Sequence, residues 1–136
     1  MARARSSGLL IVWTSIVFLA GYAFAQRQIP TTNAGFSEEA LSSLDLTNEL
    51  DSLRGRPLRL RRLTLQPGGV LGLHTHADRP AVGYLLQGQL TYHQEGQPNR
   101  VIDPGGSFAE GRSTTHWAES TGSVPAVWIA ADIPRP

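Results

Sequence analysis

The sequence predicts an all-β fold, a sandwich or barrel of short strands over residues 58–133. Three observations lead there. Apolar and polar residues alternate instead of recurring at helical spacing, candidate strands follow at near-even intervals, and Gly- and Pro-rich turns separate them.

The first strand candidate is 58-LRLRRLTL-65. Its apolar parity flips between Leu60 and Leu63, which predicts a β-bulge at Arg61-Arg62. A PGG turn at 67–69 leads to a strand through 70–76, which breaks at Pro80. Strands follow at 81–87 and near 89–94, with an EG turn at Glu95-Gly96. A short strand around Arg100–Ile102 runs into a second PGG at 104–106. Then come 107-SFAE-110, a loop at 111–114, a strand from 115, and a last strand at 125-PAVWIAADI-133.

Upstream, residues 26–57 read as an N-terminal arm. Its start is polar, and 36-FSEEALSSLDL-46 is ambiguous: Ser37 could cap a short helix with Glu38 and Glu39 in its first turn, or Leu44 and Leu46 could begin a strand. The favoured expectation is a docked arm with at most one helical turn. Phe36, Leu41, Leu44, Leu46 and Leu50 give it more apolar surface than a free tail exposes, so it should cover a sheet edge, and a homodimer is expected.

Residues 1–25 read as a signal peptide. Arg3 and Arg5 form the positive n-region, 9-LLIVWTSIVFLA-20 the apolar h-region, and 23-AFA-25 the small-x-small cleavage site. The apolar run is shorter than the roughly 20 residues of a membrane span; an uncleaved membrane anchor is the alternative. The expected location is periplasmic or secreted, with no membrane contact after cleavage.

The charge follows from this boundary. The chain holds twelve basic residues, all Arg, and eleven acids, for a net charge of +1. Removing the leader takes two arginines away and leaves about −1, so nothing implies a nucleic-acid partner. There is no cysteine, so no disulfide framework supports the exported chain.

The chemistry concentrates in 69-GVLGLHTHADRPAVGYLLQG-88. Side chains at i and i+2 of a strand share a face, so His74 and His76 project together, about 7 Å apart at the backbone. Neutral imidazoles suit Fe, Mn, Ni, Zn or Cu. His116 lies forty residues on, after the second Gly-rich turn, and is the third candidate. Alternation places Ala81, Gly83 and Leu85 on the same inward face, and small residues at 81 and 83 should leave room for water or a ligand oxygen. Glu110 shares a face with Phe108 just before the turn to His116, and is the candidate for a fourth ligand or a catalytic group. His93 should be exposed near its turn. Asp78 and Arg79 should lie at the mouth or pair on the surface, Arg79 alternatively binding an anionic substrate. Trp128 and Tyr84 should pack, and Trp117 should face outward.

These residues resemble the cupin superfamily. Its first motif reads G, five residues, H-x-H, three or four residues, E, six residues, G. Gly68, His74, His76 and Gly88 stand at those spacings, with Ala81 in place of the Glu. The second motif, G-x5-P-x-G-x2-H-x3-N, is matched by Gly105 and His116, while Gly111, Ser113 and Ser120 replace its Pro, Gly and Asn. The resemblance implies a double-stranded β-helix, or jelly-roll barrel, with one divalent transition metal ion held inside by the motif histidines. It also implies a choice of function. An exported cupin could act on a small organic molecule as a dioxygenase, isomerase or decarboxylase. It could instead be a non-catalytic module for a small ligand or metal, or a structural jelly roll with a vestigial site. No Ser-His-Asp or Cys-His arrangement is readable, so metal chemistry is the only enzymatic route the residues support.

Overall fold

A computed structural model describes residues 28–135. The leader at 1–25 lies outside them. The described chain forms eight strands: β1 (Ala34–Asp45), β2 (Pro57–Thr75), β3 (Ala81–Gln87), β4 (Leu90–Gln94), β5 (Arg100–Ile102), β6 (Ser107–Glu110), β7 (Thr115–Ser120) and β8 (Ala126–Asp132). All pairings are antiparallel, in the order β5-β4-β7-β2-β8-β3-β6, with β1 added on β2.

One strand explains how the sheet folds over on itself. β2 pairs β8 over Arg59–Leu65 and then β7 over Val70–Thr75. The PGG expected as a turn is the corner between these partners, inside a single 19-residue strand. Gly68 sits there at φ 73°, a left-handed conformation that favours glycine. The two halves of the jelly roll close on one core. Leu63, Leu65, Leu85, Phe108 and Trp128 come from one side, and Leu90, Tyr92 and Ile102 from the other. Gly88 is required by both conformation and space: its φ is 76°, and a Cβ there would stand 2.4 Å from the Pro125 carbonyl oxygen.

In the arm the strand alternative is the one adopted, with at most one helical turn as expected. Residues 34–45 form a strand, and among the described residues the only helical turn is a 3-10 turn at Asp51–Leu53. Long-range pairing decides this, because β2 offers a free edge whose hydrogen bonds a lone helical turn could not supply. Glu38 and Glu39 reach across the ladder to Arg61 and Arg62, at 2.5 and 3.0 Å. Phe36 packs on the core, 6.5 Å from Trp128 by ring centroids, and Leu46 is buried, whereas Leu41, Leu44 and Leu50 are exposed.

The bulge at Arg61-Arg62 is also corrected. β2 pairs β8 without interruption through those residues, and the irregularity lies on β1, between Ala40 and Ser42. The parity flip is nevertheless real. Leu58 and Leu60 face out, while Arg61 follows the inward line of Leu63 and Leu65 and is only 9% exposed. Buried acids make this possible, as the site shows.

Candidate metal centre

The histidines are brought together by register. His74 on β2 and His116 on β7 are direct cross-strand partners, so their side chains rise on one face. His76 follows one alternation later, just beyond the end of β2. The ring nitrogens converge: His74 Nε2 to His76 Nε2 is 3.1 Å, and His76 Nε2 to His116 Nε2 is 3.1 Å. Each residue offers a ligand atom within 4.8 Å of the others.

The tautomers follow from the bonds behind the rings. His74 Nδ1 donates to the Gly72 carbonyl and His76 Nδ1 to the Arg79 carbonyl, both at 2.8 Å. A carbonyl only accepts, so each Nδ1 carries the proton and each Nε2 presents its lone pair. The His116 ring is fixed differently, by stacking on Tyr92 at 4.3 Å and 18°.

Glu110 joins the cluster. Its Oε1 lies 3.0 Å from His116 Nε2 and its Oε2 3.2 Å from His76 Nε2, while the Tyr92 hydroxyl donates to Oε1 at 3.2 Å. The register explains its reach: Ala81 on β3 pairs directly with Glu110 on β6. The carboxylate absent from position 81 is therefore present one strand over, on the same face.

Lone pairs at such distances repel unless a cation or proton stands between them. Metal–ligand bonds of about 2.0–2.1 Å separate neighbouring ligands by about 2.9 Å at right angles and about 3.4 Å in a tetrahedron. The contacts of His76 with His74 and His116, and of Glu110 with His76 and His116, at 3.0–3.2 Å, fall in that range. The three histidines form a possible site for one metal ion.

Burial disfavours the charged form of two of the imidazoles. It pushes the His74 pKa down to about 4, with the neighbouring His116, His76 and Arg79 adding to the effect against the opposing bond to Gly72. Burial lowers His76 as well. For Glu110, burial acts upward but is outweighed by the bond and charge of His116 and by His76, so its carboxyl stays below the usual value. Burial, then Glu110, pushes the Tyr92 phenol upward.

The cluster opens onto a cavity of about 470 Å³, whose walls also carry Arg61, Arg79, Leu63, Leu71 and Trp128. Ala81 lines it as expected. Gly83 does not provide room, because the Phe108 ring lies over it; a Cβ there would meet Cζ at 2.3 Å. Glycine at 83 makes space for the phenylalanine rather than for a ligand.

The remaining candidates divide. Arg79 is at the mouth, its Nε 3.9 Å from Asp132. Asp78 pairs with Arg135 on the surface at 2.9 Å. His93 is not exposed: it stacks on Trp117 at 3.6 Å and 4° and bonds Glu119 at 2.9 Å, on the sheet face opposite Tyr92. Trp117 does face away from His116, yet is 9% exposed, and Trp128 is core. Tyr84 is half exposed rather than packed. Sequence reasoning missed Arg59, Arg61, Tyr92 and Asp132. Alternation from Leu90 and from Trp128 would have placed Tyr92 and Asp132 inward.

A family model described as a cupin domain matches residues 61–132. The chain belongs to the cupin family. It is 29% identical to germin-like protein 4-1 of Oryza sativa subsp. japonica, over 86% of this chain and 55% of that protein, so this cupin spans about half the length of that relative. Among solved structures it is similar to KdgF from Halomonas sp., with TM-score 0.60 and 22% identity over 75% of this chain and 81% of that one. It is likewise similar to the Schizosaccharomyces pombe Cnp3 cupin domain, with TM-score 0.61 and 9% identity over 85% and 70% of the two chains. At these identities the likeness is one of fold.

Proposed function

We propose that this cupin holds one divalent transition metal ion between His74, His76, His116 and Glu110, and uses it on a small organic molecule bound in the cavity. The observation that carries this reading is three imidazole nitrogens within 4.8 Å of one another on the wall of that cavity, with Glu110 oxygens 3.2 and 3.0 Å from two of them. An ion held there supplies Lewis acidity towards a chelating oxygen of the ligand.

The chain's own residues do the rest. The carbonyls of Gly72 and Arg79 fix two rings, Tyr92 stacks on the third, and its hydroxyl orients Glu110. Leu63, Leu71 and Trp128 keep the ligand's surroundings dry on one side. Export through residues 1–25 and assembly as a homodimer belong to the same reading. It is supported by the n-, h- and AFA regions for export, and by the exposed Leu41, Leu44 and Leu50 of the arm for assembly.

One observation favours a second reading, a binding module without turnover. Glu110 and Tyr92 are engaged with the imidazoles, His93 lies on the other sheet face, and Glu38, the other carboxylate on the cavity lining, is paired with Arg61, so each of these candidate bases is already engaged or faces elsewhere. Elemental analysis of the purified mature chain, followed by oxygen uptake on small phenols and keto acids, tests both. A wild type without metal ends the proposal; metal without any turnover favours the binding module.

A further inference from the structure

Beside the metal donors on the barrel wall stands a charge cluster that the metal reading leaves unused. Asp132 on β8 is fully buried and accepts from Arg59 at 3.1 and 2.8 Å and from Arg61 at 3.0 Å, with Arg79 at 3.9 Å. Arg61 also bonds Glu38 at 2.5 Å. Three guanidiniums therefore face two carboxylates within this cluster.

Arg61 is the member that matters. It is nine-tenths buried, it lines the same cavity as the histidines, and its Nε has no hydrogen-bond partner. A buried guanidinium N–H without an acceptor is costly, and a ligand acceptor would remove that cost. Nη1 and Nη2 of Arg61 each meet one acid, whereas Nε meets no acceptor. The wall between Arg61 and the metal donors is built from small residues: Arg61 pairs with Ala130, and Ala81 stands between Asp132 and Glu110.

We infer that Arg61 is the anchor for a carboxylate of the small molecule, with Arg79 at the mouth adding attraction. The planar fork of a guanidinium whose Nε lacks an acceptor matches the two oxygens of a carboxylate, and the acids already on Arg61 make the more highly charged phosphate the poorer fit. The inference rests on the proposed function for its second contact only: the other end of the same molecule meets the metal donors.

Succinate, its uncharged diamide and inorganic phosphate are the probes, titrated by calorimetry into metal-free and zinc-loaded protein with zinc content measured in parallel. Wild type should bind succinate at least about tenfold more tightly than the diamide, since a charge-assisted hydrogen bond contributes about 1.5–3 kcal/mol. Arg61→Gln and Arg61→Lys should each lose about tenfold in succinate affinity with zinc content unchanged. Arg61→Lys keeps the charge that Glu38 and Asp132 require, so it reports on the anchor even where Arg61→Gln does not fold. Arg59→Gln, which also removes a partner of Asp132 but does not line the cavity, should bind succinate as the wild type does. Undiminished succinate binding in Arg61→Lys overturns the inference, as does phosphate binding more tightly than succinate. If wild type takes up no zinc but its succinate binding still depends on Arg61, the anchor stands and the metal reading falls; zinc uptake with no Arg61 dependence has the opposite meaning.

Discussion

Two buried carboxylates flank Ala81 on the barrel wall, and their surroundings differ. Glu110 pairs with Ala81 from β6, and Asp132 pairs with it from β8. Asp132 faces guanidiniums, which are charged at every working pH, and Asp132 in turn raises the pKa of Arg59. Glu110 meets His116 and also His76, whose pKa burial lowers, with one phenol donating to it. The first carboxylate is therefore complete within the fold. The second stands opposite the His76 Nε2 lone pair, a place for a cation. The lesson is that buried charge becomes a structural clamp or a site according to whether its partners are permanently charged.

The largest effect expected from this contrast is on stability. Asp132→Ala removes the acceptor shared by Arg59 and Arg61 and strands them, at a cost of about 3–5 kcal/mol; urea unfolding of the metal-free protein measures it. Glu110→Gln in the same assay should cost far less. Equal losses would mean that both acids are structural, and the contrast fails.

Next in size is metal binding. His116→Ala should lower metal affinity by more than the roughly 10–100-fold that accompanies loss of an outer-shell partner, while the apolar half of the core keeps the barrel folded. Elemental analysis after dialysis against a competing chelator gives the answer. Asp132→Asn, by contrast, should leave metal content close to wild type.

A narrower test uses the register itself. Glu110→Ala should lose most of its metal, and Ala81→Glu added to it should recover a good part, because the carboxylate moves only one strand across on the same face. No recovery in the double variant would show that Glu110 does more than supply an oxygen.

The smallest effect concerns pH. His74 in the folded, metal-free chain has its pKa pushed down to about 4 against an ordinary 6.5. Below pH 6.5 the unfolded chain therefore takes up a proton that the folded chain refuses. Stability should fall as pH drops from about 6.5 towards 4 and be flat in this respect above 6.5. Melting temperature against pH with chelator present should show that slope, and His74→Gln should flatten it.

Strand positions from 81 to 132 were legible because alternation and Gly-rich turns are local signals. The same alternation correctly turned His74, His76, Ala81 and Glu110 inward. The arm stayed ambiguous between helix and strand because Ser37, Glu38 and Glu39 satisfy a helix cap on their own, and nothing nearby in sequence says which strand would pair with them. Arg61 was misread for a related reason. An arginine on an inward parity looks like a bulge until the acids that hold it, 23 and 71 residues away in the chain, are known.

The sequence by itself determined the all-β class, the inward faces of its strands and the identity of the three histidines, since these depend on period-two patterning and residue chemistry. Only the tertiary structure decided that Glu110 lies beside Ala81 and against His76 and His116, that Gly83 accommodates Phe108, and that Arg61 lines the cavity. Those outcomes depend on register between strands distant in the chain, and register is fixed by the packing of the whole barrel rather than by any segment of it.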